Sequence, residues 1–127
     1  MITMELTFYD INGNPIAYTT DEGDVFSFSG IPLAYIDNDS VYSYNGNHLG
    51  WFINNWIIDH DGYYLFFSEY SIGGPFKPFR RFKPFKSLRQ LKPLKYYKKL
   101  KPYKKYLKLS WSNLSAEEFF ELKNRLV

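Results

Sequence analysis

Cysteine is absent from the 127 residues, and neither lysine nor arginine occurs before Lys77. The first absence excludes disulfide frameworks, thiolate metal sites and cysteine nucleophiles. The opening Met-Ile-Thr-Met-Glu-Leu-Thr has no basic start and no continuous apolar stretch. No apolar run reaches the roughly 18 residues of a membrane span. The expectation is a soluble, cytoplasmic protein. Histidine stands only at His48 and His60, and no phosphate-cradling glycine loop, nucleophile elbow or zinc spacing is present. An enzyme is therefore not expected, and neither a cofactor nor a metal. Asp59-His60-Asp61 alternates its carboxylates away from the imidazole, and Asp37-Asn38-Asp39-Ser40 lacks the glycine and distal glutamate of a calcium loop.

The second absence exposes an asymmetry hidden by the net charge of +3. Residues 1–75 hold ten acidic groups, 76–109 hold fourteen of the sixteen basic ones, and 110–127 hold three acidic and two basic. Such a split implies either an anionic partner or an electrostatic contact between the two parts.

The acidic part repeats. Gly13, Gly30, Gly46 and Gly62 follow Asn12, Ser29, Asn45 and Asp61, with Ile16, Leu33, Leu49 and Leu65 three residues on and Tyr18, Tyr35, Trp51 and Phe67 five on. Tyr9, Phe26, Tyr42 and Ile58 stand four before. Two-residue type I′ turns would pair Tyr9 with Ile16, Phe26 with Leu33, Tyr42 with Leu49 and Ile58 with Leu65 on one face. The other face carries Ala17, Ala34, Gly50 and, against the trend, Phe66. Eight short strands follow, near 4–11, 15–20, 24–29, 32–37, 40–45, 48–53, 56–60 and 63–69. An antiparallel meander of equal hairpins closes most naturally into a barrel, which removes its edges. Tyr18, Tyr35, Trp51 and Phe67 are read as core, with an apolar ligand channel as the functional alternative.

From Phe76 the chain changes character. Triplets of an aromatic or leucine, a basic residue and a variable one run to Lys105. A period of three fits polyproline II and neither helix nor strand. The apolar stripe (Phe76 to Tyr103) and the basic stripe (Lys77, Arg80, Lys83, Lys86, Arg89, Lys92, Lys95, Lys98, Lys101 and Lys104) then separate. At about 3.1 Å per residue the tract would span roughly 100 Å, so it must wrap or project. Entropy favours the apolar stripe turned inward and the basic stripe facing water. Ser115 and Glu118 form a capping box for an amphipathic helix over 116–127 carrying Phe119, Leu122 and Leu126, with Trp111 as an anchor.

The Gly-centred hairpins such as Tyr44-Asn45-Gly46-Asn47, the Gly73-Gly74-Pro75 junction, the Lys-Pro-Leu-Lys triplets and Leu109-Ser110-Trp111-Ser112 resemble the bacterial four-fold β-flower family over nearly the whole chain. The resemblance implies a shallow barrel of radiating hairpins, likened to the tubby C-terminal domain, a lipid-phosphate binder. The expected architecture is thus mainly β. A four-hairpin barrel (1–70), a triplet segment packed on it (71–109) and a C-terminal helix (110–127) form one structural domain. Three roles stay open for the ten basic residues: contact with anionic membrane lipid, binding of single-stranded nucleic acid, or neutralisation by the acidic barrel in a structural or protein-interaction module. Lipid contact would place the protein peripherally at a membrane.

Overall fold

The computed structural model describes residues 4–122. Within them the four repeats form β1 (Thr7–Tyr9), β2 (Pro15–Thr19), β3 (Asp24–Ser27), β4 (Pro32–Asp37), β5 (Ser40–Tyr42), β6 (His48–Ile53), β7 (Trp56–Ile58) and β8 (Tyr64–Ser68). Each strand pairs antiparallel with the next, and β8 returns to β1 through Phe8↔Ser68 and Tyr9↔Phe67. The barrel is closed, as the hairpin pattern predicts.

The turns at the glycine tips differ from the expected type I′. At the first tip, Gly13 N–H donates to Asp10 O and Asp10 N–H to Asn14 O. Gly13 has φ +78°, whereas Asn12 does not have positive φ. These are three-residue loops with the glycine in the left-handed position, each ending in a bulge. The extra residue moves the partners to Tyr9↔Pro15, Phe26↔Pro32, Tyr42↔His48 and Ile58↔Tyr64. The residue opening each loop explains the choice. Asp10 and Asp59 each accept two backbone N–H groups of their own loop, and Ser27 and Ser43 each accept one. A side chain that closes the loop in this way favours the longer turn.

The bulge also splits the face on which the leucines and aromatics were expected together. Leu33, Leu49 and Leu65 join one interior cluster to which every strand contributes. Its wall repeats the cross-strand pairs Phe8↔Ala17, Val25↔Ala34, Val41↔Gly50 and Ile57↔Phe66. Tyr18, Tyr35, Trp51 and Phe67 belong instead to three separate clusters on the outer face. All four rings are buried, as the core reading has it, and the three clusters divide them rather than gather them around the single space that the alternative of a ligand channel calls for.

Two rings from the C-terminal segment complete the interior. Phe119 and Phe120 are buried against Phe66, edge-on at 5.9 Å and stacked at 5.8 Å. Gly50 makes room for them, since a Cβ there would come within 2.7 Å of the Phe119 ring. The capping box at Ser115 and Glu118 is present, but α1 (Ala116–Phe119) is a single turn, shorter than the expected 116–127. The chain leaves the helix at Phe120, and Glu121 follows at φ +57°. Leu126 lies outside the described residues.

Candidate functional site: the girdle

Residues 76–109 contain no helix or strand and form a girdle around the barrel. The girdle meets the hairpin tips at intervals of nine residues. The carbonyls of Phe79, Leu88, Tyr97 and Tyr106 lie against Gly13, Gly30, Gly46 and Gly62. Two residues after each carbonyl, the N–H of Arg81, Gln90, Lys99 or Lys108 donates to that glycine's carbonyl at 2.8–2.9 Å. Three triplets therefore advance one quarter of the barrel. Pro75, Pro84, Pro93 and Pro102 share this nine-residue spacing. They fall where no N–H is needed, whereas at the intervening Ser87 and Tyr96 the N–H bonds Phe28 O and Tyr44 O. At about 3.1 Å per residue, nine residues cover about 28 Å and four such steps about 110 Å. A compact chain of this length has a radius of about 18 Å, hence a circumference of about 110 Å. A girdle extended to that degree would be about as long as the girth of a compact molecule of this size.

The ends of the girdle meet on the same side. Trp56 Nε1 donates to Gly73 O at 3.2 Å, and the Trp111 ring packs on Trp56 at 5.4 Å. Tyr64 receives Ser112 N–H and donates to Ser110 O, at 2.7 and 3.0 Å. Trp111 is thus an anchor, as expected, and it completes a clasp.

The orientation of the stripes is the reverse of the expectation. Phe76, Phe79, Phe82, Phe85, Leu88, Leu91, Leu94, Tyr97, Leu100, Tyr103 and Tyr106 are 88–100% exposed. The basic side chains turn to the barrel. Lys83, Lys86, Lys92, Lys98, Lys101, Lys104 and Lys105 form ion pairs with Glu69, Glu5, Asp24, Asp37, Asp39, Asp39 and Asp61. Others sit over the outer rings: Lys77 on Trp56, Arg80 on Tyr9, Arg89 on Phe26 and Lys95 on Tyr35. The barrel wall offers carboxylates and ring faces to this segment, its own apolar surface being used inside, and the cations are the side chains that meet them. The repeat echoes this pairing. Where Ile58 replaces the aromatic of the earlier tips, the equivalent girdle position is Leu107 instead of a cation.

The ion pairs leave a mark on titration. Hydrogen bonding from Lys104, with further help from Ser40 and Lys101, lowers Asp39 to about 2 against the opposing cost of burial. Lys92 and Lys98 are raised, chiefly by bonds to Asp24 and Asp37. The basic residues expected to meet an anionic surface are therefore engaged within the molecule, while their paired side chains remain 37–59% exposed.

His48 and His60, which stand in different repeats, are brought together. His48 Nδ1 lies 2.9 Å from His60 Nε2, and its Nε2 lies 3.1 Å from Ser40 Oγ. Burial, then the His60 and Lys101 charges, push His48 down to about 4, against a weaker opposing effect of Asp39. Its folded value lies below the unfolded 6.5, so the unfolded chain takes up the proton first. This contribution to stability is full above pH 6.5, falls as pH falls towards 4, and levels off below. We expect a loss of about 2 kcal/mol over that window, discounted for the solvent reached through His60. Urea unfolding from pH 7 to 4 checks it: His48→Gln should flatten the slope, and an unchanged slope would assign it to other groups. Among the described residues no group of three or more His, Asp or Glu is placed to hold a metal ion. No helix of the described residues is long and apolar enough to cross a membrane.

Comparison with known proteins adds one finding: the family model described as "4-fold beta flower protein" matches residues 6–120. No curated protein and no solved structure matches.

Proposed function

The chain belongs to the 4-fold beta flower protein family, and on that premise we propose that it is a non-enzymatic interaction protein that docks on a membrane interface through the outward apolar stripe. The observation that carries this reading is the near-complete exposure of eleven large apolar side chains along one continuous line. At roughly 150–250 Å² for each aromatic ring, the stripe presents on the order of 2,000 Å², well beyond the few hundred typical of a monomer surface. It is convex all round, which suits a fluid surface better than a preformed protein groove. The lysines beside it can keep their heads in water while the rings enter the interface.

This reading moves the working surface from the ten basic residues to their apolar neighbours. The basic stripe supports the self-neutralising role, and with it the case for nucleic acid weakens, because phosphate tracking needs free cations. Flotation of the full chain with phosphatidylcholine vesicles, beside a single-stranded DNA titration over a salt series, tests the proposal. We expect binding to the neutral vesicles that survives high salt. Salt-sensitive DNA binding without flotation would replace the lipid reading by a nucleic-acid one.

A further inference from the structure

Resting on the lipid reading, we infer that the barrel meets the membrane edge-on, through the one quarter of the girdle that runs from Phe76 to Lys86. Geometry limits the contact to about a quarter. A plane touching a ring of about 18 Å radius lies only about 5 Å from side chains 45° to either side, within the 5–10 Å depth of interfacial insertion. Side chains further round cannot reach it. Nine residues span 90° of the barrel, so three or four apolar side chains engage at once.

Exposure does not choose the quarter, since every stripe residue is at least 88% exposed. Chemistry does. Residues 76–85 carry four phenylalanines at their apolar positions, residues 88–94 carry leucines, and residues 97–106 carry mostly tyrosines, whose hydroxyls hold the ring at headgroup level where a phenylalanine ring can go deeper. Charge then separates the Phe quarter from the Leu quarter. The Tyr quarter, with Lys98, Lys99, Lys101, Lys104 and Lys105 against Asp37, Asp39 and Asp61, matches the surplus of the Phe quarter and is set aside on ring chemistry alone. The Phe quarter holds Lys77, Arg80, Arg81, Lys83 and Lys86 beside three barrel carboxylates, Glu5, Asp10 and Glu69. The Leu quarter sets Arg89, Lys92 and Lys95 against Asp21, Glu22 and Asp24, with no surplus. Cavities agree with this choice. Clefts of about 410 and 470 Å³ flank Phe79, the first lined by Lys77 and Arg80 with Glu69 and Phe67, the second by Arg81 with Phe82, so base outnumbers acid in both. The cleft of the Leu quarter, about 440 Å³, sets Lys95 and Lys98 against the three carboxylates Asp21, Glu22 and Asp37, so acid outnumbers base there. An apolar ridge between two cation-edged clefts fits a phospholipid, with phosphate at the guanidinium groups and acyl chains against the rings.

Three double variants of the full chain test the assignment in flotation with phosphatidylcholine vesicles and with vesicles that also contain phosphatidylserine. They are Phe82→Ser with Phe85→Ser, Leu91→Ser with Leu94→Ser, and Tyr103→Ser with Tyr106→Ser. All six side chains are at least 88% exposed, so folding is spared. We expect the Phe pair to lower partitioning at least about tenfold and the other pairs to stay within about twofold. Phosphatidylserine should raise wild-type binding by no more than roughly thirtyfold, the worth of two surplus cations near an anionic surface. Equal losses in the three variants would overturn the choice of quarter and leave lipid binding standing. Wild-type protein that floats with neither vesicle would overturn both.

Discussion

A fragment ending at Ser71 is expected to show no cooperative unfolding transition. It keeps all eight strands and every cross-strand pair, yet it loses Phe119 and Phe120 from the interior cluster. Emptying one buried phenylalanine site costs about 3–5 kcal/mol. Two such losses approach the whole stability of a domain, about 5–15 kcal/mol. The fragment also loses every lysine and arginine while keeping ten carboxylates, and it uncovers the outer rings Tyr9, Tyr18, Tyr35 and Trp51. Salt should not rescue it, because screening relieves repulsion but fills no cavity. Urea titration followed by circular dichroism, with sedimentation for association, checks the outcome. A monomer with a single sigmoidal transition would show that the strands are self-sufficient and that the girdle is a separable arm.

Replacing a tip glycine should be nearly as informative. At Gly46, φ is +88° and a Cβ would lie 2.0 Å from the Tyr97 carbonyl oxygen. The left-handed conformation costs an alanine roughly 1–2 kcal/mol. The close approach adds the displacement of Tyr97 and the loss of the 2.8 Å bond from Lys99 N–H to Gly46 O, about 1 kcal/mol more. Gly46→Ala is expected to destabilise by about 3 kcal/mol and to open tryptic cleavage at Lys98 and Lys99. Gly73→Ala is the control. Its φ is +69°, but nothing lies within 4 Å of the added atom, so only the conformational cost of roughly 1–2 kcal/mol applies. Equal urea midpoints for the two variants would mean that the girdle does not press on the tips.

The four hairpins and their closure were legible in the chain because turn chemistry and alternation are local and recur four times. The turn type was not, because the Asn-Gly pair at Asn45-Gly46 signals two different loops. The choice between them lies with the Ser43 side chain, which bonds the N–H of Asn47. The split between Leu33 inside and Tyr35 outside followed from that extra residue. For the girdle, the period of three was visible, yet which stripe faces in depends on the surface it meets. Reasoning from the tract's own hydrophobicity favoured the wrong one. A signal was available: Pro75, Pro84, Pro93 and Pro102 recur every nine residues, and nine residues carry the girdle from one tip to the next. The meeting of His48 with His60 depends on packing between neighbouring repeats, for which no local pattern exists. The capping box and the spacing place Phe119 and Phe120 on one longer helix, whereas in the fold the turn ends at Phe120 and both rings pack on Phe66.

The clasp at Trp56 and Trp111 makes the girdle act on the barrel as a hoop acts on staves. No stave can lean outward while the hoop is shut, so strand separation is gated by an event elsewhere, the parting of two indoles and a few hydrogen bonds at Tyr64. We expect the rate of opening to respond to changes at the clasp, and at the four glycine tips that share the load with it. Lifetime and depth of the folded well are then expected to separate: loosening the clasp should shorten the first more than it lowers the second, and emptying the interior should do the reverse.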